Sequence, residues 1–426
     1  MGLPQEVTAE AELGEQLDLA DSAISRAMWL AVLVAALGYF VDVFDMWLFA
    51  NFRVASLTAL GLSGPALTDT GAFIINCQQT GFLLGGVVWG LMGDRRGRVS
   101  VMFGSILLYS AGTLLSAYVT TVGQYAILRF VTGFGLAGEI GAGITLISEL
   151  LPAAKRGLGT TVVTGLGVAG AIGAAAAGKW MSWQHAYMLG GAMGFLLLAL
   201  RVAISESGMY AHMLSDETVR RGSLKLLFAT GSRIRRLFCC LMVGVPIYIV
   251  FGVFATFAPE IASALGISES VAVPDIMLFT SIGITIGDVA SGLLSHYFRS
   301  RKGPILAFQM IAFALAVLLG GGFIHGSTGY MLVAGALGIC TGYWACLITA
   351  VAEQFGTNLR ATVTTMVPNL VRSSTIVLNI GFIQFKTFTD PATAALWLTF
   401  IVFVPAILSL LALRETFGED LKYFER

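Results

Sequence analysis

Apolar residues run along this chain in long, nearly unbroken stretches rather than in the alternation of strands or the one-sided stripes of soluble helices. Twelve stretches approach the roughly 20 residues that carry a helix across a hydrocarbon core of about 30 Å. They cover residues 27–50, 70–92, 99–119, 122–149, 158–178 and 184–204, then 237–263, 273–297, 303–322, 327–351, 361–385 and 391–413. The longest connection, 205–236, is polar and basic and divides the stretches six and six. The pattern predicts an all-α membrane protein of twelve transmembrane helices in two six-helix pseudo-symmetric bundles, 27–204 and 237–413. A mobile acidic tail over 1–26, a basic linker over 205–236 and a short tail over 414–426 complete the expected domains.

Composition sharpens the solvent assignment. With 56% hydrophobic and 12% charged residues and a mean hydropathy of +0.82, the chain holds more apolar surface than one soluble core can bury, so its solvent is lipid. The 51 glycines suit close packing of membrane helices. Formal charge cancels, so it argues neither for a nucleic-acid nor for an acidic partner, and no nucleic-acid partner is expected. Cys77, Cys239, Cys240, Cys340 and Cys346 lack metal-ligand spacing and read as packing thiols. Basic residues gather on one face: Arg26, Arg95, Arg96 and Arg98, Lys155 and Arg156, Arg201, Arg220 to Arg236, Arg299 to Lys302, Arg360 and the C-terminal stretch. The opposite face holds only Arg53, Lys179 and Lys386, so the positive-inside rule puts both termini in the cytoplasm. Short loops and tails suggest a bacterial inner membrane, and a monomer is expected.

The second half echoes the first at an offset of about 200 residues, as internal repeats of transporters do. GLMGDRRGRV from Gly90 is answered by GLLSHYFRSRK from Gly292, Glu149–Arg156 by Glu353–Arg360, and Ser205-Glu206-Ser207 by Arg414-Glu415-Thr416. The loop Gly90 to Arg98 carries Gly-x-x-x-Asp-Arg-x-Gly-Arg through Gly90, Asp94, Arg95, Gly97 and Arg98, and RFVTGFGLAGE supplies Arg-x-x-x-Gly-x-Gly through Arg129, Gly133 and Gly135. At these positions the chain resembles the major facilitator superfamily over nearly its whole length. ELLPAAKRG and RETFGEDL look like its branch of sugar porters, metabolite and proton symporters, and organic-ion carriers. The resemblance implies alternating access by two rocking halves. His296 stands at the Asp position of the second loop copy, which leaves that copy degenerate. Asp94 beside its arginines is suited to a latch that holds the halves together on the cytoplasmic side and opens as they rock; a topology anchor alone explains the arginines but not the Asp.

Ionisable side chains inside a bilayer cost several kcal/mol and mark function. Asp42 and Asp45 lie three apart in YFVDVFDMW, nearly on one helix face, and Arg129 enters segment four to a matching depth, roughly 10 Å at the helical rise. An Asp42/Asp45/Arg129 cluster is therefore expected. Asp-x-x-Asp here resembles the Asp-Gly-x-Asp feature of aromatic-acid and proton symporters, with Val43 in place of the Gly. Two crowded carboxylates make a proton-coupling site; a permanent ion pair with Arg129 is the plainer alternative. Glu139 either hands protons on or makes a polar helix contact. Asp288 reads equally as half of a gating pair or as a cation site. Arg372, near the midplane of segment eleven, suits a carboxylate through bidentate hydrogen bonds, and in the organic-ion carriers a basic residue there goes with anionic substrates; its alternative is to neutralise a buried acid of this protein. Gln78, Gln79, Tyr248, Tyr343, Trp344 and Asn369 fill out the expected pocket.

Enzyme readings fit poorly. Neither Tyr-Asp nor Gly-x-Gly-Asp surrounds the membrane aspartates, the four histidines are scattered, and no P-loop is present, so no cofactor beyond a coupling proton is expected. A fixed channel or a receptor fits the duplicated halves less well than a carrier. The sequence thus leads to a secondary active transporter importing a small organic anion with protons, with a proton-antiporting exporter of metabolites or drugs as the competing direction.

Overall fold

The computed structural model describes residues 5–96, 98–138, 153–206 and 227–417. Over these the chain is helical, with short turns. The elements are α1 (Gln5–Ala59), α2 (Gly64–Arg96), α3 (Arg98–Ser116), α4 (Val122–Leu136), α5 (Ala153–Trp180) and α6 (Trp183–Glu206). They continue with α7 (Gly231–Ile249), a π-helical turn (Val250–Ala255), α8 (Ala258–Ala264), α9 (Val273–Tyr297), α10 (Lys302–Gly320), α11 (Gly326–Thr341), α12 (Trp344–Gln354), α13 (Thr357–Lys386) and α14 (Pro391–Ala412). Among the described residues nine helical segments are long and apolar enough to cross a membrane. With large apolar side chains such as Leu196, Ile127 and Trp397 turned outward, this is an integral membrane protein.

One expectation changes at the start of the chain. Segment one extends to Ala59, so Arg53 lies inside α1 and is fully buried rather than sitting in a loop. The acidic start is helical too and continues α1 back to Gln5. Its Glu, Ala, Leu and Gln residues are strong helix formers with no glycine pair or proline to stop them.

Two of the expected spans are interrupted. Pro246 lies inside α7, and the π turn follows it, with Thr256 N–H reaching back five residues to the carbonyl of Phe251 at 3.2 Å. Segment ten breaks at Gly342 and Tyr343 between α11 and α12.

Helix pairing repeats along the chain. α1 packs on α5, α2 on α4 and α3 on α6; later, α7 packs on α13, α9 on α11 and α10 on α14. Between the two sets α2 meets α13 and α5 meets α9. The α2/α4 crossing is tight because Gly133 has no side chain: a Cβ there would stand 2.0 Å from the carbonyl oxygen of Gln78. Gly287 does the same on α9, where a Cβ would stand 2.0 Å from the carbonyl oxygen of Ile339. Gly123, at the start of α4, has open space around it. Gly133→Ala is expected to lower the thermal midpoint of the purified protein, with an overpacking cost of about 1–3 kcal/mol. Gly123→Ala, with the same gain in helix propensity and no clash, is expected to leave that midpoint unchanged or raise it.

Candidate functional site

A cavity opens between the two sets of helices, with about 620 Å³ of empty space counting the solvent at its mouth. α1 contributes Tyr39, Val43, Met46 and Trp47, spaced so that one helix face lines it. Tyr248 and Phe251 reach it from α7 and the π turn, so the irregular backbone after Pro246 lies at the site. Trp344 enters from the first residue of α12. These rings form a connected wall: Trp47 lies 4.7 Å from Phe251 and 6.4 Å from Tyr248, and Tyr248 lies 6.3 Å from Trp344, centroid to centroid.

Two charged side chains face this aromatic space, Arg372 from α13 and Asp288 from α9. Arg372 is 3% exposed. Its Nη1 donates to Asp42 Oδ2 at 3.3 Å and its Nη2 to the Tyr39 hydroxyl at 3.4 Å, while the guanidinium sits 5.4 Å from the centre of the Phe82 ring. Its Nε is buried with no hydrogen-bond partner among the described residues. Asp288 Oδ1 accepts the backbone N–H of Ala345 at 2.8 Å, a donor freed by the break before α12.

Asp45 belongs to a different network. It pairs with Arg129 Nη1 at 3.3 Å and accepts the Thr113 hydroxyl at 2.8 Å. Arg129 also donates to Ser116 and Thr132 at 3.1 and 3.2 Å and lies 4.8 Å from the centre of the Tyr187 ring. All these partners come from α1, α3, α4 and α6. The single Asp42/Asp45/Arg129 cluster drawn from the sequence is therefore two pairs, with Asp42 turned to Arg372. Three residues along a helix rotate a side chain by about 300° and raise it about 4.5 Å, enough to point the two carboxylates about 60° apart towards different neighbours.

The other sequence candidates are distributed as follows. Tyr248 and Trp344 line the cavity, and Gln78 and Asn369 are not among its lining residues. Tyr343 is buried with its hydroxyl donating to the Val243 carbonyl at 3.0 Å. Glu353 accepts from Arg301 Nη2 and Nε at 2.9 and 3.1 Å and from Thr416 Oγ1 at 2.7 Å. Beside it, Glu415 accepts from Ser300 Oγ at 2.5 Å and from the backbone N–H groups of Arg301 and Lys302 at 2.8 and 3.2 Å. Burial works to raise the Glu415 carboxyl, but these hydrogen bonds outweigh it and hold the group below the usual carboxylate range. Gly90, Asp94 and Arg95 lie on α2, Arg98 on α3, Arg156 on α5 and Arg360 on α13, placed here by their helices alone. Gly97, Glu139 and Glu149 lie outside the described residues. Tyr39, Met46, Trp47 and Phe251 were missed, although the α1 trio stands on one helical face next to Asp42.

At the end of the molecule where α1, α5 and α13 finish, three ion pairs join the two sets of helices. Arg53 Nη1 meets Glu260 Oε1 at 2.7 Å, Lys179 meets Asp275 at 2.8 Å and Lys386 meets Asp69 at 2.7 Å. Thr68 donates to Glu260 at 2.9 Å and Asn379 to Asn76 at 3.1 Å. The first of the pairs is buried; the other two are partly open to solvent.

The model of the Major Facilitator Superfamily matches residues 35–379. The 4-hydroxybenzoate transporter PcaK of Acinetobacter baylyi is 31% identical over 45% of this chain, a stretch that spans 42% of that protein. The 3-(3-hydroxy-phenyl)propionate transporter of Escherichia coli is 24% identical over 73% of this chain and 79% of its own length. Among solved structures, a D-xylose-proton symporter superposes with a TM-score of 0.67 at 16% identity, covering 92% of this chain and 99% of that one, a likeness of fold. The chain belongs to the Major Facilitator Superfamily of membrane transporters.

Proposed function

We propose that this protein is a proton-coupled importer of a small organic anion, an aromatic carboxylate, working by alternating access between two six-helix bundles of a twelve-helix chain. The repeated pairing of helices supports the two bundles, and the one-sided basic residues support cytoplasmic termini in a bacterial inner membrane. The observation that carries the reading is the Arg372–Asp42 ion pair, 3.3 Å long and nearly fully buried, whose arginine lines an aromatic cavity shared by both bundles. The relatives named for hydroxybenzoate and hydroxyphenylpropionate carry the same substrate chemistry.

Charge balance makes the coupling. In the empty carrier the Arg372–Asp42 pair sets one buried cation against one buried anion and is neutral. A substrate carboxylate arriving alone would put two anions against Arg372, and a proton alone would leave the guanidinium unpaired; both are costly away from water. Proton and carboxylate together restore the balance, with Asp42 neutral and Arg372 engaged by substrate, its unpartnered Nε offering a second donor. One proton then travels with one monoanion. Asp45 and Arg129, tied within one bundle, act as a brace. The three ion pairs of Arg53, Lys179 and Lys386 close the outer side, and the Gly90 to Arg98 loop with Glu149–Arg156 forms the latch on the cytoplasmic side; Glu353, expected to work with Arg360, is instead held by Arg301 and Thr416 within the second bundle. The two solvent-open pairs, of Lys179 and Lys386, contribute only about 0–1 kcal/mol each, which leaves the buried Arg53–Glu260 pair as the main contact that opening has to break.

In proteoliposomes an inward proton gradient is expected to accumulate labelled 4-hydroxybenzoate above the external concentration. Asp42→Asn is expected to lose that accumulation and keep exchange of labelled for unlabelled substrate. Full gradient-driven accumulation by Asp42→Asn would overturn the coupling role, and uptake that needs an outward gradient would reverse the direction.

A further inference from the structure

Asp288 is not used by this scheme, and its surroundings are unusual. It lines the cavity, it is not fully exposed, and among the described residues no lysine or arginine pairs with it. Among the described residues, other charged groups buried between the two sets of helices have a partner: Asp42 has Arg372, and Arg53 has Glu260. A carboxylate inside a membrane protein without a counter-ion carries a desolvation cost that capping a short helix does not require, since Asn and Ser cap nearly as well. Its place is fixed by the fold: Gly287 lets α9 press against the end of α11, and the break at Gly342 and Tyr343 turns the N–H of Ala345 to Oδ1. The cavity therefore has a cation on α13 and an acceptor on α9, with the rings of Trp47, Tyr248 and Trp344 along the same wall.

Building on the carboxylate reading of Arg372, we propose that Asp288 is a specificity-determining residue that accepts a hydrogen bond from the substrate end remote from its carboxylate, selecting aromatic acids that carry a ring hydroxyl over those that do not. The aromatic body lies along the ring wall, Arg372 takes the carboxylate, and the hydroxyl proton is donated to Asp288. A ring ether, one methyl larger, offers only an acceptor to an acceptor and is excluded, because the unpaired groups lose their water without compensation.

The experiment is equilibrium binding of benzoate, 4-hydroxybenzoate, 3-hydroxybenzoate and 4-methoxybenzoate to the purified full-length protein. The wild type is expected to bind at least one hydroxybenzoate about tenfold or more tighter than benzoate, the size of a hydrogen bond to a charged group, and to reject the methoxy compound. Asp288→Asn keeps an acceptor for Ala345 N–H and turns an amide donor to the cavity. Relative to benzoate, it is expected to lose the hydroxyl preference of the wild type and to gain affinity for 4-methoxybenzoate. Asp288→Ser, a second capping residue too short to reach substrate, is expected to bind all four alike. A wild type that does not distinguish hydroxybenzoates from benzoate, or a preference that survives both substitutions, overturns the role of Asp288 and leaves the carboxylate site standing. A wild type that binds none of the four overturns the carboxylate site and this inference with it.

Discussion

Arg372→Ala lowers affinity for benzoate and 4-hydroxybenzoate by about 100-fold or more and abolishes their uptake. Truncating one partner of a buried, hydrogen-bonded charge pair costs about 2–5 kcal/mol, which spans roughly 30-fold to several thousand-fold in affinity. Loss of binding alone is ambiguous, because the substitution also strands Asp42, which is 0% exposed. An uncompensated buried charge of this kind destabilises by about 3–5 kcal/mol. The double variant Arg372→Ala with Asp42→Asn removes both charges and is expected to recover most of the thermal stability while still binding no carboxylate. Arg372→Lys keeps the charge but gives up the planar fork, so it is expected to bind weakly. A double variant that is stable and binds benzoate like the wild type would make Arg372 a structural counter-ion.

Arg129→Ala is expected to reduce thermal stability by about 3–5 kcal/mol, the largest loss of any single charge substitution in the first bundle. The guanidinium is fully buried and satisfies Asp45, Ser116 and Thr132 while lying against the Tyr187 ring, so its removal leaves a carboxylate and two hydroxyls around an empty volume. Asp45→Asn with Arg129→Gln is the informative companion. Because every partner in that network comes from α1, α3, α4 or α6, the neutral pair is expected to regain much of the stability and to keep the pH dependence of substrate binding. Disappearance of that pH dependence in the stable double variant would move proton coupling from Asp42 to Asp45. Unfolding followed in detergent, together with binding titrations at two pH values, separates the two.

The helical stretches are legible from apolar length alone, because lipid forces backbone hydrogen bonds to close within each helix. The interruptions are less so. Pro246 announces a disturbance in segment seven, but nothing local says that it resolves as a π turn carrying Phe251 into the cavity. The break at Gly342 depends on how closely α9 and α11 cross, which is a property of two helices. Among the site residues, Asp42, Asp45, Arg129 and Arg372 stand out in the sequence because charge is rare in apolar stretches. Their pairing does not, since Asp42 and Arg372 are 330 residues apart. The aromatic wall was hidden for the opposite reason: in a chain with 28 phenylalanines, an aromatic lining a cavity looks like one facing lipid. Arg53 misled through a helix boundary, its buried pair with Glu260 becoming apparent only once α1 runs on to Ala59.

Proton uptake on binding tests the exchange of Asp42 for substrate at Arg372 most directly. Calorimetric titration of 4-hydroxybenzoate into the purified protein, at one neutral pH in two buffers of different ionisation enthalpy, reads the protons taken up per ligand bound. The expected result is about one proton per ligand for the wild type and close to none for Asp42→Asn, which still binds. Binding to the wild type without proton uptake, or equal uptake by Asp42→Asn, would contradict the account.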